Sequence, residues 1–157
     1  AMETFWGMIH DHRSIIDSVR WYGPSNDPLL MGTAEGAFEV VDPEYWMTRI
    51  VNVTVALQER GYRDTVTADL HLDVVGDDIL PANNARLVLS VSGGRGEVTT
   101  GGEGHLVVDI STLAPLFTGL FPATQLAIAG RLSGSADTLA AADQIFAGPE
   151  PWMPEGF

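Results

Sequence analysis

The residues best placed to do chemistry are in the last stretch of the sequence, Pro151-Trp152-Met153-Pro154-Glu155-Gly156-Phe157, where Phe157 as natural terminus would carry a free α-carboxylate. Such a group has a reference pKa near ~3.5 and is a weak base in water, but a partly desolvated one is stronger, because burial disfavours its charged form. Two prolines lower the entropy of ordering this tail, and two aromatics give it area for docking. Elsewhere the candidates thin out. His10-Asp11-His12 offers imidazole and carboxylate, yet the sequence places no further ligand beside it, and no metal is expected. His71 and His105 fall singly in strand-like stretches and read as surface or hydrogen-bonded interior histidines. Asn52-Val53-Thr54 has the form of a glycosylation sequon, but Asn52 stands where a helix needs its cap. Nothing resembles a nucleophile elbow.

Composition narrows the chemistry further. The absence of cysteine excludes disulfides, thiolate metal sites and cysteine nucleophiles. All 8 basic residues are arginine, which removes Schiff-base chemistry and the phosphate-loop lysine. A formal net charge of −13 repels nucleic acid and anionic membrane and concentrates cationic amines near the surface. No apolar run approaches the ~20 residues of a membrane span, and no basic start with an apolar centre marks a signal peptide, so a cytoplasmic location is expected. At 157 residues the chain suits one sizeable core.

Hydrophobic periodicity supplies the elements that must position these groups. Thr4 to His12 reads as a short helix with Phe5, Ile9 and Met8 inward, and Ile15 to Trp21 as a strand ended by Gly23 and Pro24. One helix and one strand cannot enclose a core, so residues 1–40 read as the end of a preceding domain. In Tyr45 to Tyr62 a short strand with Trp46 and Ile50 on one face gives way to a helix carrying Val53, Ala56, Leu57 and Arg60, with Asn52 as N-cap and Gly61 past its end. Three alternating runs follow, around Leu70, Leu89 and Val108. Gly93-Gly94 reads as a turn, and so do the runs from Gly93 to Gly96 and from Gly101 to Gly104, both as hairpins. A helix capped by Ser111 would carry the stripe Leu113, Leu116, Phe117 and Leu120, with Pro115 in its first turn; Pro122 would start a second helix, and Ser135 to Ala147 a third. The expected class is α+β, an antiparallel sheet of about five strands covered on one face by helices.

The pattern of Trp46, Arg49, Ile50, Val51, Asn52, Val53, Ala56, Leu57, Arg60 and Tyr62 resembles the opening of the sterol-carrier-protein-like domain at the C-terminus of the Eis (enhanced intracellular survival) family of N-acetyltransferases. Further landmarks follow in order: Asn84, Leu87, Leu89, Gly94, Asp109, Leu113, Gly119, Gly130-Arg131, Ala142-Asp143 and Phe146. Upstream, His10-Asp11 and Asp27-Pro28-Leu29 resemble the close of the second acetyltransferase-like (GNAT) domain. The resemblance implies a GNAT remnant over 1–40 and a sterol-carrier-like domain over 41–157, in a bacterial, homo-oligomeric enzyme that acetylates primary amines of cationic substrates such as aminoglycosides, polyamines or lysine.

It also implies that the terminal carboxylate of Phe157 serves as general base, with Trp152 and Glu155 as walls of the amine site. Acetyl-CoA would be bound by the remaining N-terminal GNAT domains, since the (Q/R)-x-x-G-x-(G/A) turn that holds its pyrophosphate does not occur here, and this chain alone should be inactive. Arg49 and Arg60 are expected to pair with carboxylates such as Asp109. The rival reading is a non-catalytic module that holds a lipid or other hydrophobic ligand in a tunnel between sheet and helices, lined by the Leu113 stripe.

Overall fold

The computed structural model describes residues 2–34, 36–43 and 45–153. The chain divides into two compact units, one of residues up to Trp46 together with those from Trp152 onward, the other spanning Met47–Pro151.

In the first unit, helix α1 spans Met2–Asp11, with Phe5 and Ile9 half-buried and Met8 exposed. A 3-10 turn over Pro28–Gly32 begins at Asp27, whose Oδ1 accepts from the amide of Leu29 at 2.9 Å while its Oδ2 accepts from the indole of Trp21 at 3.1 Å. Ile15 to Trp21 does not form the expected strand. Its alternating pattern is real, but no neighbouring strand in the described chain offers the ladder that an extended segment needs.

The second unit is built on a five-stranded sheet of order β3-β2-β1-β4-β5, with β1 at Ala68–Val75, β2 at Ala85–Ser92, β3 at Arg95–Thr100, β4 at Leu106–Asp109 and β5 at Leu132–Ser133. Alternation places Leu70, Leu72 and Val74 opposite Leu89, Leu87 and Ala85 across β1 and β2, so one face of the sheet is apolar. The sheet is mixed rather than wholly antiparallel, because β4 runs parallel to β1, pairing Leu72 with Leu106. The Gly93-Gly94 turn joins neighbouring strands as expected, but Gly101 to Gly104 is a crossover and not a hairpin. It leaves the sheet edge at Thr100 and returns over the face of β2 and β1.

Helices cover the apolar face. Helix α2 (Val53–Glu59) is capped by Asn52, whose Oδ1 accepts from Val55 at 3.0 Å, and Gly61 follows it at φ +75°. Residues 45–50, ahead of it, form no strand. Helix α3 (Ile110–Thr118) begins two residues earlier than the periodicity suggests: Asp109 is the cap, accepting from the amide of Ser111 at 2.8 Å. Pro115 therefore lies inside the helix rather than in its first turn, Leu120 lies beyond its end, and the helix stops at Thr118. Helix α4 (Ala123–Ile128) follows Pro122, and α5 (Ala136–Phe146) is capped by Ser135. Leu57, Leu113, Leu116, Ala142, Ile145 and Phe146 join the inward strand residues in one core.

Candidate functional site

Two arginines of the Tyr45 to Tyr62 stretch organise the polar framework of the second unit. Arg49 donates from Nη2 to Asp77 Oδ1 at 2.6 Å. Asp77 is buried, and the same oxygen accepts from the amides of Ile79 and Leu80, while Oδ2 accepts from Asn83 Nδ2 at 2.9 Å. The Asn83 bond, the Leu80 amide and Arg49 outweigh burial and hold the Asp77 carboxyl at about 2. Asn83 then accepts the amide of Val53 at 3.0 Å, so this network fixes the first turn of α2 to the loop between β1 and β2. The expected arginine–carboxylate pair exists at Arg49, but its partner is Asp77. Asp109 is occupied at α3, where the Ser111 hydroxyl and amide lower its pKa and the charge of Arg131 adds to this.

Among the described residues, Arg60 pairs with no carboxylate. Its Nε donates to Phe117 O at 2.7 Å, Nη2 to Phe146 O at 2.8 Å and Nη1 to Gly61 O at 3.1 Å. Those carbonyls lie at the C-terminal ends of α3, α5 and α2, where helix carbonyls lack partners and the macrodipole favours a cation. The guanidinium also sits 5.3 to 5.8 Å from the ring centroids of Tyr62, Phe117 and Phe146. Burial pushes the Tyr62 phenol up to about 12, against the pull of the Arg60 charge, and its hydroxyl donates to Leu57 O at 2.6 Å.

Of the residues expected at the amine site, Trp152 lies in irregular chain and is partly exposed, whereas Glu155 and Phe157 lie outside the described residues. Leu113 and Leu116 of the expected stripe line no tunnel. Leu57, Leu72, Leu89, Leu106, Leu113 and Leu116 have no accessible surface, so no water-sized space opens against them. A surface pocket of about 420 Å³ lies between residues 51–55 and 80–83, but its amide side chains, Asn52 and Asn83, are already committed to α2.

The sheet face opposite the helices holds a group the sequence did not bring together. The crossover lays Glu103 and His105 against His71 of β1, and one imidazole nitrogen of each histidine and one carboxylate oxygen of Glu103 lie within 4.8 Å of one another. The two imidazoles stack with centroids 5.1 Å apart. His105 Nε2 is 2.6 Å from Glu103 Oε2, and the amide of Glu103 donates to His71 Nδ1 at 3.0 Å. Glu103-Gly104-His105 was legible as a spacing. Reading the run as a hairpin, however, puts Glu103 at a turn tip, away from β1.

A mixed sheet backed by α2 to α5, with Arg60 tying helix ends together, defines a sterol-carrier-type α+β domain. The chain belongs to the sterol carrier protein domain family, whose model matches residues 53–154. No curated protein matches. Among solved structures, the chain is similar to a GCN5-related N-acetyltransferase from Anabaena variabilis, at 44% identity and a TM-score of 0.93 over 99% of this chain and 40% of that one. Eis1 from Mycobacterium abscessus matches at 33% identity and a TM-score of 0.59, over 69% of this chain and 27% of that protein. A GCN5-related N-acetyltransferase from Kribbella flavida matches at 29% identity and 0.63, over 69% and 28%. This chain thus spans less than half the length of each. Among the described residues, no helix is long and apolar enough to cross a membrane.

Proposed function

We propose that this chain is the C-terminal region of an Eis-like, acetyl-CoA-dependent N-acetyltransferase, and that it braces the enzyme and completes its active site. The observation that carries this reading is the similarity to the Anabaena variabilis acetyltransferase, which runs through both units of this chain and not through the sterol-carrier-type domain alone. In this reading residues 1–40 close a GNAT domain, and residues 41–157 form the appended domain. Large apolar side chains left at the surface, including Tyr22, Met31, Tyr45 and Met47, support a further protein surface against this chain, from the remaining domains or from a second copy.

The reaction is acyl transfer to a primary amine of a cationic substrate. The amine nitrogen attacks the thioester carbonyl, the new C–N bond forms, the C–S bond breaks, and CoA leaves as its thiolate. The proton lost by the nitrogen passes to the terminal carboxylate of Phe157, directly or through water, and Trp152 and Glu155 flank the amine, Glu155 by charge. Positioned proton transfer of this kind contributes roughly 10²- to 10⁴-fold in rate. Deleting Phe157 from the full-length enzyme tests the assignment: kcat falls within that range while acetyl-CoA affinity holds. An unaltered kcat overturns it.

A further inference from the structure

The face of the sheet that carries His71 is acidic. Strand alternation and register put Asp69, His71 and Asp73 of β1 beside Ser90, Val88 and Arg86 of β2, with Glu97 of β3 opposite Ser90. Arg86 is paired with Asp73 at 3.0 Å, and Arg95 of β3, opposite Ser92, lies at the far end of the same face. The crossover passes close over these residues. A Cβ on Gly102 would stand 2.6 Å from Val88 Cγ2 and 3.1 Å from His71 Nδ1, and the residue has φ +97°, so glycine is what lets the backbone descend to the imidazole.

We propose that His71, Glu103 and His105 form a binding site for a divalent transition metal ion of the zinc type, which clasps the glycine-rich crossover to strand β1. Two imidazoles and one carboxylate suit a borderline-soft cation and not magnesium or calcium, which take oxygen ligands. His71 accepts the Glu103 amide at Nδ1, and the ion takes the place of that amide hydrogen at the lone pair as the loop shifts. His105 Nε2 and Glu103 Oε2 face each other across 2.6 Å, and the ion takes the place of the hydrogen between them once His105 carries its proton on Nδ1.

Zinc–ligand distances of about 2.0 to 2.2 Å set tetrahedral ligand separations of roughly 3.3 Å, so the widest pair here closes by about 1.5 Å and the tightest opens slightly. Gly101, Gly102 and Gly104 flank these ligands and give the loop that freedom. Water fills the open positions, because Glu103 and His105 are exposed. The same arrangement makes Glu103 and His105 the contribution of the crossover to the site, and His71 that of the sheet.

The test uses the whole chain without an affinity tag, with His10 and His12 changed to Asn to remove the other imidazole pair. Calorimetric titration with Zn²⁺ gives one ion per chain, Mg²⁺ gives no heat of binding, and Co²⁺ shows the visible absorption of a low-coordinate nitrogen–oxygen site. His71→Ala or His105→Ala weakens Zn²⁺ at least tenfold, and Glu103→Gln several-fold, with melting temperatures of the metal-free variants unchanged. Zn²⁺-induced shifts of the His71 and His105 imidazole ¹⁵N resonances give a readout that needs no substitution at the site. Affinity that survives the loss of both histidines, or resonance shifts confined to other residues, overturns the site.

Discussion

Asn83 hands one hydrogen bond to Asp77 and takes another from Val53: its Nδ2 lies 2.9 Å from Asp77 Oδ2, and its Oδ1 lies 3.0 Å from the amide of Val53. The two side chains are both buried. Through them Arg49 of the incoming segment, the loop after β1 and the first turn of α2 become one network. Buried polar groups carry this kind of weight because leaving any member unpaired exposes its full desolvation cost.

The charge on Asp77 makes the fold acid-sensitive within a defined window. Its folded pKa of about 2 lies below the ordinary 3.8. A depressed carboxylate pKa gives stability that is fully present above the unfolded value and is lost as pH falls toward the folded one. The melting-temperature difference between the unaltered chain and Asp77→Asn is therefore constant near neutrality and narrows from about pH 4 down to about pH 2. Thermal scans of both proteins across this range check it, since every other carboxylate titrates alike in the pair. A difference that stays flat to pH 2 removes the role given to Asp77.

Much of this fold was legible in the residues. The alternation of Leu70, Leu72 and Val74, the cap at Asn52 and the helix from Ser135 onward follow from period and punctuation, and all three stand in the structure. Most of what failed shares one cause. The strands expected at Ile15 to Trp21 and at 45–50, and the hairpin at Gly101 to Gly104, depend on which segments become neighbours, and local pattern does not encode neighbours. The same gap hid the cluster of His71, Glu103 and His105, whose members are 32 to 34 positions apart or two apart and meet only because β4 inserts beside β1. The start of α3 was misread for a different reason. Asp109 and Ser111 are both good caps, and the competition was decided by the sheet, which releases the chain at Asp109.

Arg60 should not tolerate lysine. Three donors of one planar group reach Phe117 O, Phe146 O and Gly61 O, and the guanidinium lies against three rings. An ammonium is a point donor that cannot span all three carbonyls or stack on the rings. Arg60→Lys is expected to destabilise the chain by on the order of 2 kcal/mol and Arg60→Ala by more, because at least one half-buried carbonyl is left without a partner. Urea unfolding followed by circular dichroism measures both. A lysine variant within about 0.5 kcal/mol of the unaltered chain would mean that water replaces the arginine at those carbonyls.

The filled core argues against carriage of a lipid inside this domain. A tunnel needs apolar side chains with space against them, and Leu113 and Leu116 have none: they pack with Leu57, Leu72 and Phe146 in the one cluster between helices and sheet. Titration with a fluorescent long-chain fatty acid is expected to show no saturable binding in the micromolar range. Leu113→Ala sharpens the contrast. In a filled core the truncation removes packed atoms and leaves a cavity, at a cost of about 2 to 5 kcal/mol. In a ligand tunnel the same change only widens existing space, at little cost to the unliganded protein. Denaturant unfolding of this variant, run beside the fatty-acid titration, therefore separates the two pictures. A Leu113→Ala chain of unchanged stability that binds the probe would return the domain to the carrier class.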